Sequence, residues 1–415
     1  MGDDDTRRRS SAVHDEPVGR MGRRRFVNTL AGLGFGALSA SLLTAEDVRA
    51  ASSDEVPIVY GLTRERSSDS EESDAGPVEP RRKTVPADWY DDFRAAVAAH
   101  RTLDVIHREE VASSAVSPGE YGGANATIRV EITAEEVRGA VPERVEETPV
   151  EVRRVEKTER GDRRNPTDSA DSAALRDSGS VRDSESVRDS ESVRDSESLG
   201  QRGRDGEGVP GSVAVASDDL YGTLAPAMRD PESGALYFAT ANHVFGGTGN
   251  RGKPLYMLDD GRTEIGSVRS GYPKSDVICA EPTEGFQPLH RIRDGRPGRV
   301  LGQFTKVGLA DLKAAGEELE KIGAKTGHTT GKIQAVDGLT CAYGAVCKRG
   351  QLKWGEESGF GDGDSGSVNF HPDPDDPDAG VLVGGFNNAR TWWPGEDYVW
   401  GTAAHHVTEQ HGFTF

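Results

Sequence analysis

Gly361-Asp362-Gly363-Asp364-Ser365-Gly366-Ser367 is the stretch on which the reading of this chain turns. Gly, Asp and Ser are common turn residues, so the stretch alone would signal only a tight turn. Its order behind two other segments gives it chemical meaning. Thr240-Ala241-Asn242-His243 closes the β-type run Ala235-Leu236-Tyr237-Phe238-Ala239, and Lys274-Ser275-Asp276-Val277-Ile278 follows it. A hydroxyl that attacks a carbonyl needs a base for its proton, a group that holds the base in one tautomer, and donors for the oxyanion that forms. Ser365 is read as the nucleophile, His243 as the base and Asp276 as the residue that orients it. The backbone N–H groups of Gly363 and Ser365 are read as the oxyanion hole. Glycine at 363 permits a backbone conformation that a Cβ would disfavour.

Around these segments the chain from Gly211 to its end has one character. Short β-type runs such as Val213-Ala214-Val215, Lys332-Ile333-Gln334-Ala335-Val336 and Val381-Leu382-Val383-Gly384 alternate with glycine-rich turns. That pattern predicts an all-β C-terminal domain, a sandwich or barrel, over 211–415.

Residues 211–415 resemble the chymotrypsin/trypsin-like serine peptidase superfamily in its short bacterial, streptogrisin-like branch. The segments that carry the resemblance are Gly211-Ser212-Val213, Ala239-Thr240-Ala241-Asn242-His243-Val244, Ser275-Asp276-Val277-Ile278 and Gly363-Asp364-Ser365-Gly366-Ser367, in the family's order. Lys325-Thr326-Gly327-His328-Thr329-Thr330-Gly331-Lys332-Ile333 resembles a strand and turn before the family's second-barrel hairpin. The resemblance implies two six-stranded antiparallel β-barrels, with His243 and Asp276 on the first and Ser365 on the second. It implies an endopeptidase working through an acyl-enzyme on protein or peptide substrates, without a cofactor or metal. It also implies a cation for the Asp364 carboxylate, a primary pocket with Gly359 near its floor, and Asn387, Asn388 and Ala389 along its wall. The chain departs from the family pattern at Asn242 and Ser367, and no cysteine flanks His243 or Ser365. A peptidase fold that binds peptides or surface components without cutting is the alternative.

The N-terminal half reads differently. Arg23-Arg24-Arg25-Phe26-Val27 and the uncharged stretch to Ala45 resemble a twin-arginine export leader over 1–50, with Val48-Arg49-Ala50 as a cleavage site. A membrane anchor is the competing reading, weakened by the glycines and hydroxyl residues in that stretch. Export implies an extracellular or cell-surface location and only transient contact with the membrane. Residues 51–84, rich in Ser, Glu, Asp and Pro, read as disordered. From Pro86 to Ile106, Trp89, Phe93, Val97 and Leu103 recur at helical spacing. Strand-type runs at 127–132 and 149–155 flank a short helix at 134–140, so 85–158 is read as a small α+β module, a pro-region or an accessory domain. In 159–210, Val181-Arg182-Asp183-Ser184-Glu185-Ser186 repeats from Val187 and again from Val193, a charged hexapeptide that cannot pack a core and reads as a solvated linker.

Composition sets outer limits. The chain has 415 residues, a formal net charge of −20 and 34% apolar residues. A balance this acidic, with no concentrated basic face, argues against a nucleic-acid partner and suits a surface of hydrated carboxylates, as in high salt. Among the three cysteines, Cys341 and Cys347 bracket a turn that a disulfide could staple, while Cys279 follows Val277-Ile278 and reads as buried and inert.

Three rival motifs lose on context. Thr402-Ala403-Ala404-His405-His406 imitates the histidine segment but follows Ser365, with no acidic segment beyond it, and reads as the start of a closing helix. An α/β-hydrolase elbow requires Gly where Ser367 stands. The run from His371 to Asp378 lacks ligand spacing and reads as a solvated hairpin loop.

Overall fold

The computed structural model describes residues 54–66, 75–103, 109–155, 207–218, 220–259, 261–341, 347–390 and 397–415. The export leader, the hexapeptide repeats and nearly all of the linker at 159–210 lie outside the described residues. Among those described, no helix is long and apolar enough to cross a membrane.

Val56-Pro57-Ile58-Val59-Tyr60 supplies enough apolar surface to order the stretch read as disordered at 51–84. Strands β1 (Glu55–Arg66) and β2 (Ala75–Pro86) pair there as an antiparallel hairpin, with Ile58 and Tyr60 fully buried. Helix α1 (Ala87–Thr102) ends earlier than the Ile106 expected and buries Trp89, Phe93, Ala96 and Val97 along one face. Strand β3 (Val111–Ser117) was not legible: Val-Ala-Ser-Ser-Ala-Val-Ser alternates weakly, yet every residue of it is buried. Then follow β4 (Thr127–Ile132), a 3₁₀ turn over Glu135–Ala140 where a short helix is expected, β5 (Arg144–Val145) and β6 (Thr148–Arg154).

Past the linker come β7 (Glu207–Gly211), β8 (Ala214–Ala216), β9 (Tyr221–Thr223), β10 (Met228–Arg229), β11 (Leu236–Ala241), β12 (Pro254–Met257), β13 (Thr263–Tyr272), β14 (Val277–Pro282) and β15 (Phe286–Ile292). They lead to β16 (Val300–Phe304), α2 (Lys306–Ala315), β17 (Glu318–Gly323), β18 (Gly327–Thr340), β19 (Lys348–Trp354), β20 (Val368–Pro372), β21 (Val381–Arg390), β22 (Val399–Ala403) and the closing helix α3 (Ala404–His411). The C-terminal half is therefore built almost wholly of strands, as expected.

The two-barrel expectation holds for one barrel. Strands β17, β18, β19, β22, β21 and β20 pair in that order and β20 pairs back to β17, a closed ring of antiparallel ladders. Closure leaves no edge within the ring. The first sheet instead has seven strands in the order β10-β11-β14-β13-β12-β8-β9 and stays open by strand pairing. It curls around Val215, Phe238, Phe245, Leu255, Ile265 and Ile278, so that Ala225 N donates to Ala239 O at 2.8 Å across the gap.

The N-terminal elements extend the sheet of the closed barrel. β3 pairs antiparallel with the far end of β18, β4 follows β3, and β1 reaches β21 through β16. A common core joins them, with Ile58, Tyr60, Trp89 and Phe93 packed among Phe304, Leu309, Trp354 and Leu382. Polar anchors repeat the connection. Tyr60 Oη donates to Asp373 at 2.6 Å and Arg81 lies 3.3 Å from the same carboxylate, so Asp373 is a buried anchor within a run expected to be solvated.

A second buried anchor is Glu131 on β4. Lys353 Nζ donates to Glu131 at 2.6 Å, Ser113 and Tyr398 hydroxyls donate to its other oxygen, and both charged side chains are almost fully buried. Burial pushes the Glu131 carboxyl up, but the Lys353 ammonium together with the Ser113 and Tyr398 hydroxyls outweighs it and the net shift is downward. Such a pair contributes stability above the ordinary carboxylate range that is lost as pH falls toward the depressed folded value. Glu131→Ala strands the Lys353 charge, and urea unfolding at neutral pH is expected to show a loss of about 3–5 kcal/mol.

Candidate active site

Strand register brings two distant residues together. In the β11–β14 ladder Ala241 lies opposite Val277. The residues just past one end and just before the other, Asn242-His243 and Asp276, are therefore neighbours. A 3₁₀ turn over Asn242–Phe245 then lifts the His243 ring off the sheet. Asn242 N donates to Asp276 O at 3.1 Å and His243 N to Asp276 Oδ1 at 2.9 Å, so the backbone holds the carboxylate before any ring contact is made. Asp276 takes a positive φ of 50°, which is unusual outside glycine and persists here because its surroundings fix it.

Ser365 arrives from the closed barrel. His243 Nδ1 lies 2.8 Å from Asp276 Oδ2, and His243 Nε2 lies 2.9 Å from Ser365 Oγ. The sequence reading placed these three residues together, and they form one hydrogen-bonded line. A proton on Nδ1, held by the carboxylate, leaves Nε2 free to accept from the serine hydroxyl. Asp276 is 2% exposed and also receives Lys348 Nζ on Oδ2 at 2.6 Å. Burial pushes its carboxyl up, but the attraction of His243 and Lys348 is stronger and carries it far below the usual range.

The turn that carries Ser365 is clamped from both sheets. Thr223 N donates to Ser365 O and Thr223 Oγ1 to Gly363 O, each at 2.8 Å, while Gly366 N donates to Asn387 O at 2.9 Å. Gly363 has φ 111°, and a Cβ there would stand 2.5 Å from the Tyr221 ring, so only glycine fits. Among the described residues the N–H groups of Gly363 and Ser365 have no acceptor.

Asp364 faces inward beneath the turn. Its Oδ1 accepts from Lys325 N and Thr326 N, and its Oδ2 from Thr326 Oγ1 and Gly361 N at 2.7 and 2.8 Å. The cation is Lys321, whose Nζ lies 3.4 Å from Oδ2 with both side chains fully buried. Burial lowers the Lys321 ammonium and Asp364 only partly offsets it. Lys321 shares the inward face of β17 with Leu319, and a charge in phase with an apolar residue is the trace it leaves in the sequence.

The residues read as a specificity pocket are placed less uniformly. Gly359 is partly exposed, and its carbonyl accepts from Thr326 Oγ1 and Thr329 Oγ1 at 3.2 Å. Asn387 is fully buried, with its amide bonded to Trp354, Asn369 and Ser367, and Asn388 is buried against Thr402. Of the expected wall, Ala389 alone reaches the surface, because β21 turns the two asparagines inward. His405 and His406 lie at the start of α3, where His405 pairs with Glu409; burial, then His405, pushes His406 down to about 4. Cys341 and Cys347 form a disulfide beside the start of β19, and Cys279 is buried with its thiol pushed up by burial.

No family model and no curated protein matches this chain. Solved structures similar to half of it are bacterial chymotrypsin-like serine proteases. A Nocardiopsis protease is 16% identical, covering 50% of this chain and 98% of its own, with a TM-score of 0.37. Thermobifida fusca protease A and Cellulomonas bogoriensis chymotrypsin are each 16% identical over 50% of this chain and 97% of theirs, with a TM-score of 0.36.

Removing the carboxylate under the turn that carries Ser365 leaves the buried Lys321 ammonium without its counter-charge and several N–H groups without an acceptor. Asp364→Ala is expected to lower the unfolding free energy by about 3–5 kcal/mol, read as a fall in the denaturant midpoint.

Proposed function

We propose that this chain is an exported serine endopeptidase. The observation that carries the reading is the hydrogen-bonded line Ser365–His243–Asp276, beside two backbone N–H groups, of Gly363 and Ser365, that have no acceptor among the described residues. His243 Nε2 takes the Ser365 proton as Oγ attacks the scissile carbonyl, and the resulting imidazolium is held by Asp276. The tetrahedral oxyanion is received by the N–H groups of Gly363 and Ser365. His243 then returns the proton to the leaving amine, giving the acyl-enzyme, and activates a water that releases the acid in the same way. Asp364 and Lys321 keep the turn in shape for these donors.

The leader at 1–50 supports export by the twin-arginine route, a path that suits a chain folding before transport. Residues 54–155 share a core and a sheet with the peptidase half, which supports a part that stays with the enzyme over a pro-region shed on maturation. Protein or peptide substrates are the partners this chemistry requires.

A fluorophosphonate probe tests the reading directly. Wild type is expected to label at Ser365, and Ser365→Ala to show none. On a peptide substrate, His243→Ala is expected to lower kcat by about 10⁴-fold or more with the fold intact. A folded wild-type protein that takes no label at any pH would instead identify a peptidase fold that binds without cutting.

A further inference from the structure

A second cation sits on the carboxylate that orients His243. Lys348 is the first residue of β19, directly after Cys347, whose disulfide to Cys341 closes the turn between β18 and β19. Its partner across the ladder is Thr340. From there the side chain reaches over the barrel junction and places Nζ 2.6 Å from Asp276 Oδ2, the same oxygen that lies 2.8 Å from His243 Nδ1. The Lys348 side chain is 12% exposed and the Asp276 side chain 2%, so solvent screens little of this contact.

We propose that Lys348 is a positioning residue that acts through Asp276, fixing the carboxylate and cancelling part of its charge, and so opposing protonation of the His243 ring. The inference rests on the peptidase reading for its functional meaning, but its electrostatic content stands on the geometry.

When His243 gains a proton, imidazolium and ammonium share one oxygen. Both nitrogens are bonded to it, so they stand within about 5.5 Å of each other, close enough to repel even with the His243 side chain 36% exposed. Asp276 alone would favour the protonated ring; Lys348 opposes it. Other charged or titratable groups around the ring do not substitute for Lys348. Lys253 donates to the Phe245 carbonyl, Lys321 and Asp364 form their own pair beneath Ser365, and His411 on α3 bonds to Ser275 Oγ at 2.8 Å. Lys348 is the lysine bonded to the Asp276 carboxylate among the described residues.

The test follows two pH titrations on the full chain. The first is the second-order rate of fluorophosphonate labelling at Ser365; the second is the imidazole ¹⁵N titration of His243, assigned by its absence in His243→Asn. Lys348→Gln keeps a donor while removing the charge, Lys348→Met removes both, and Lys348→Arg restores the charge. In Lys348→Gln the acidic limb of labelling and the His243 titration are both expected to move up by about one to two pH units. Lys348→Arg is expected to return both toward wild type, an outcome that a purely structural lysine would not give. A folded Lys348→Gln protein with unmoved titrations overturns the proposal; if that variant fails to fold, Lys348→Met makes the same comparison. Absence of labelling in wild type, with a His243 titration that still moves in the variant, would overturn the peptidase reading and leave the role of Lys348 standing. Normal labelling with an unmoved titration would do the reverse.

Discussion

The pairing of Ala241 with Val277 is the constraint on which the site depends. Because one strand ends and the other begins at that pair, a single register places the backbone of His243 against the carboxylate of Asp276. A slip of one residue would turn His243 to the opposite face and dissolve the arrangement. The register is secured by burial of both faces of each strand, with Phe238, Ala239, Ile278 and Cys279 all fully buried. Precision at the site is thus inherited from ordinary core packing. Ser365 is then held by strand β9, whose Thr223 bonds to Ser365 O and Gly363 O of its turn, so the geometry couples the open sheet to the closed barrel.

Much of this was legible in the sequence, and the reasons differ by residue. His243, Asp276 and Ser365 stood out because proton transfer demands those residue types, and because their order along the chain narrowed the choice. The strands of the C-terminal half showed through their glycine punctuation. Lys348 did not show, and Lys321 left only its phase with Leu319; for each, the folded structure is needed to see that its ammonium is taken out of water to meet a carboxylate. Asn387 misled for the opposite reason, since an amide suits a cleft as well as it suits the interior network it joins. The hairpin of β1 and β2 was hidden by its proline and arginine content, which reads as solvated until the fully buried Ile58 and Tyr60 are placed.

The N-terminal half also changes what the barrel is. A closed ring of six strands has no free edge, yet β18, 14 residues long, runs on past the end of β17, and that overhang is where β3 attaches. The attachment carries Glu131 onto Lys353, which lies on the same strand as Lys348. Strand β19 therefore takes part both in the joint between the halves and in the charge environment of His243. Because a buried ion pair resists small displacement, the joint gives that strand a fixed position from which Lys348 can act.

The position of the repeat-bearing linker within the fold has a different consequence. Strands β6 and β7 both belong to the folded body, and residues 156–206 connect them along the chain. The entropy of closing such a loop grows with the logarithm of its length, about 0.6 kcal/mol for each doubling. One hexapeptide more or fewer alters that cost by only a small fraction. A change in hexapeptide copy number therefore has little leverage on the closure cost of the connection between β6 and β7.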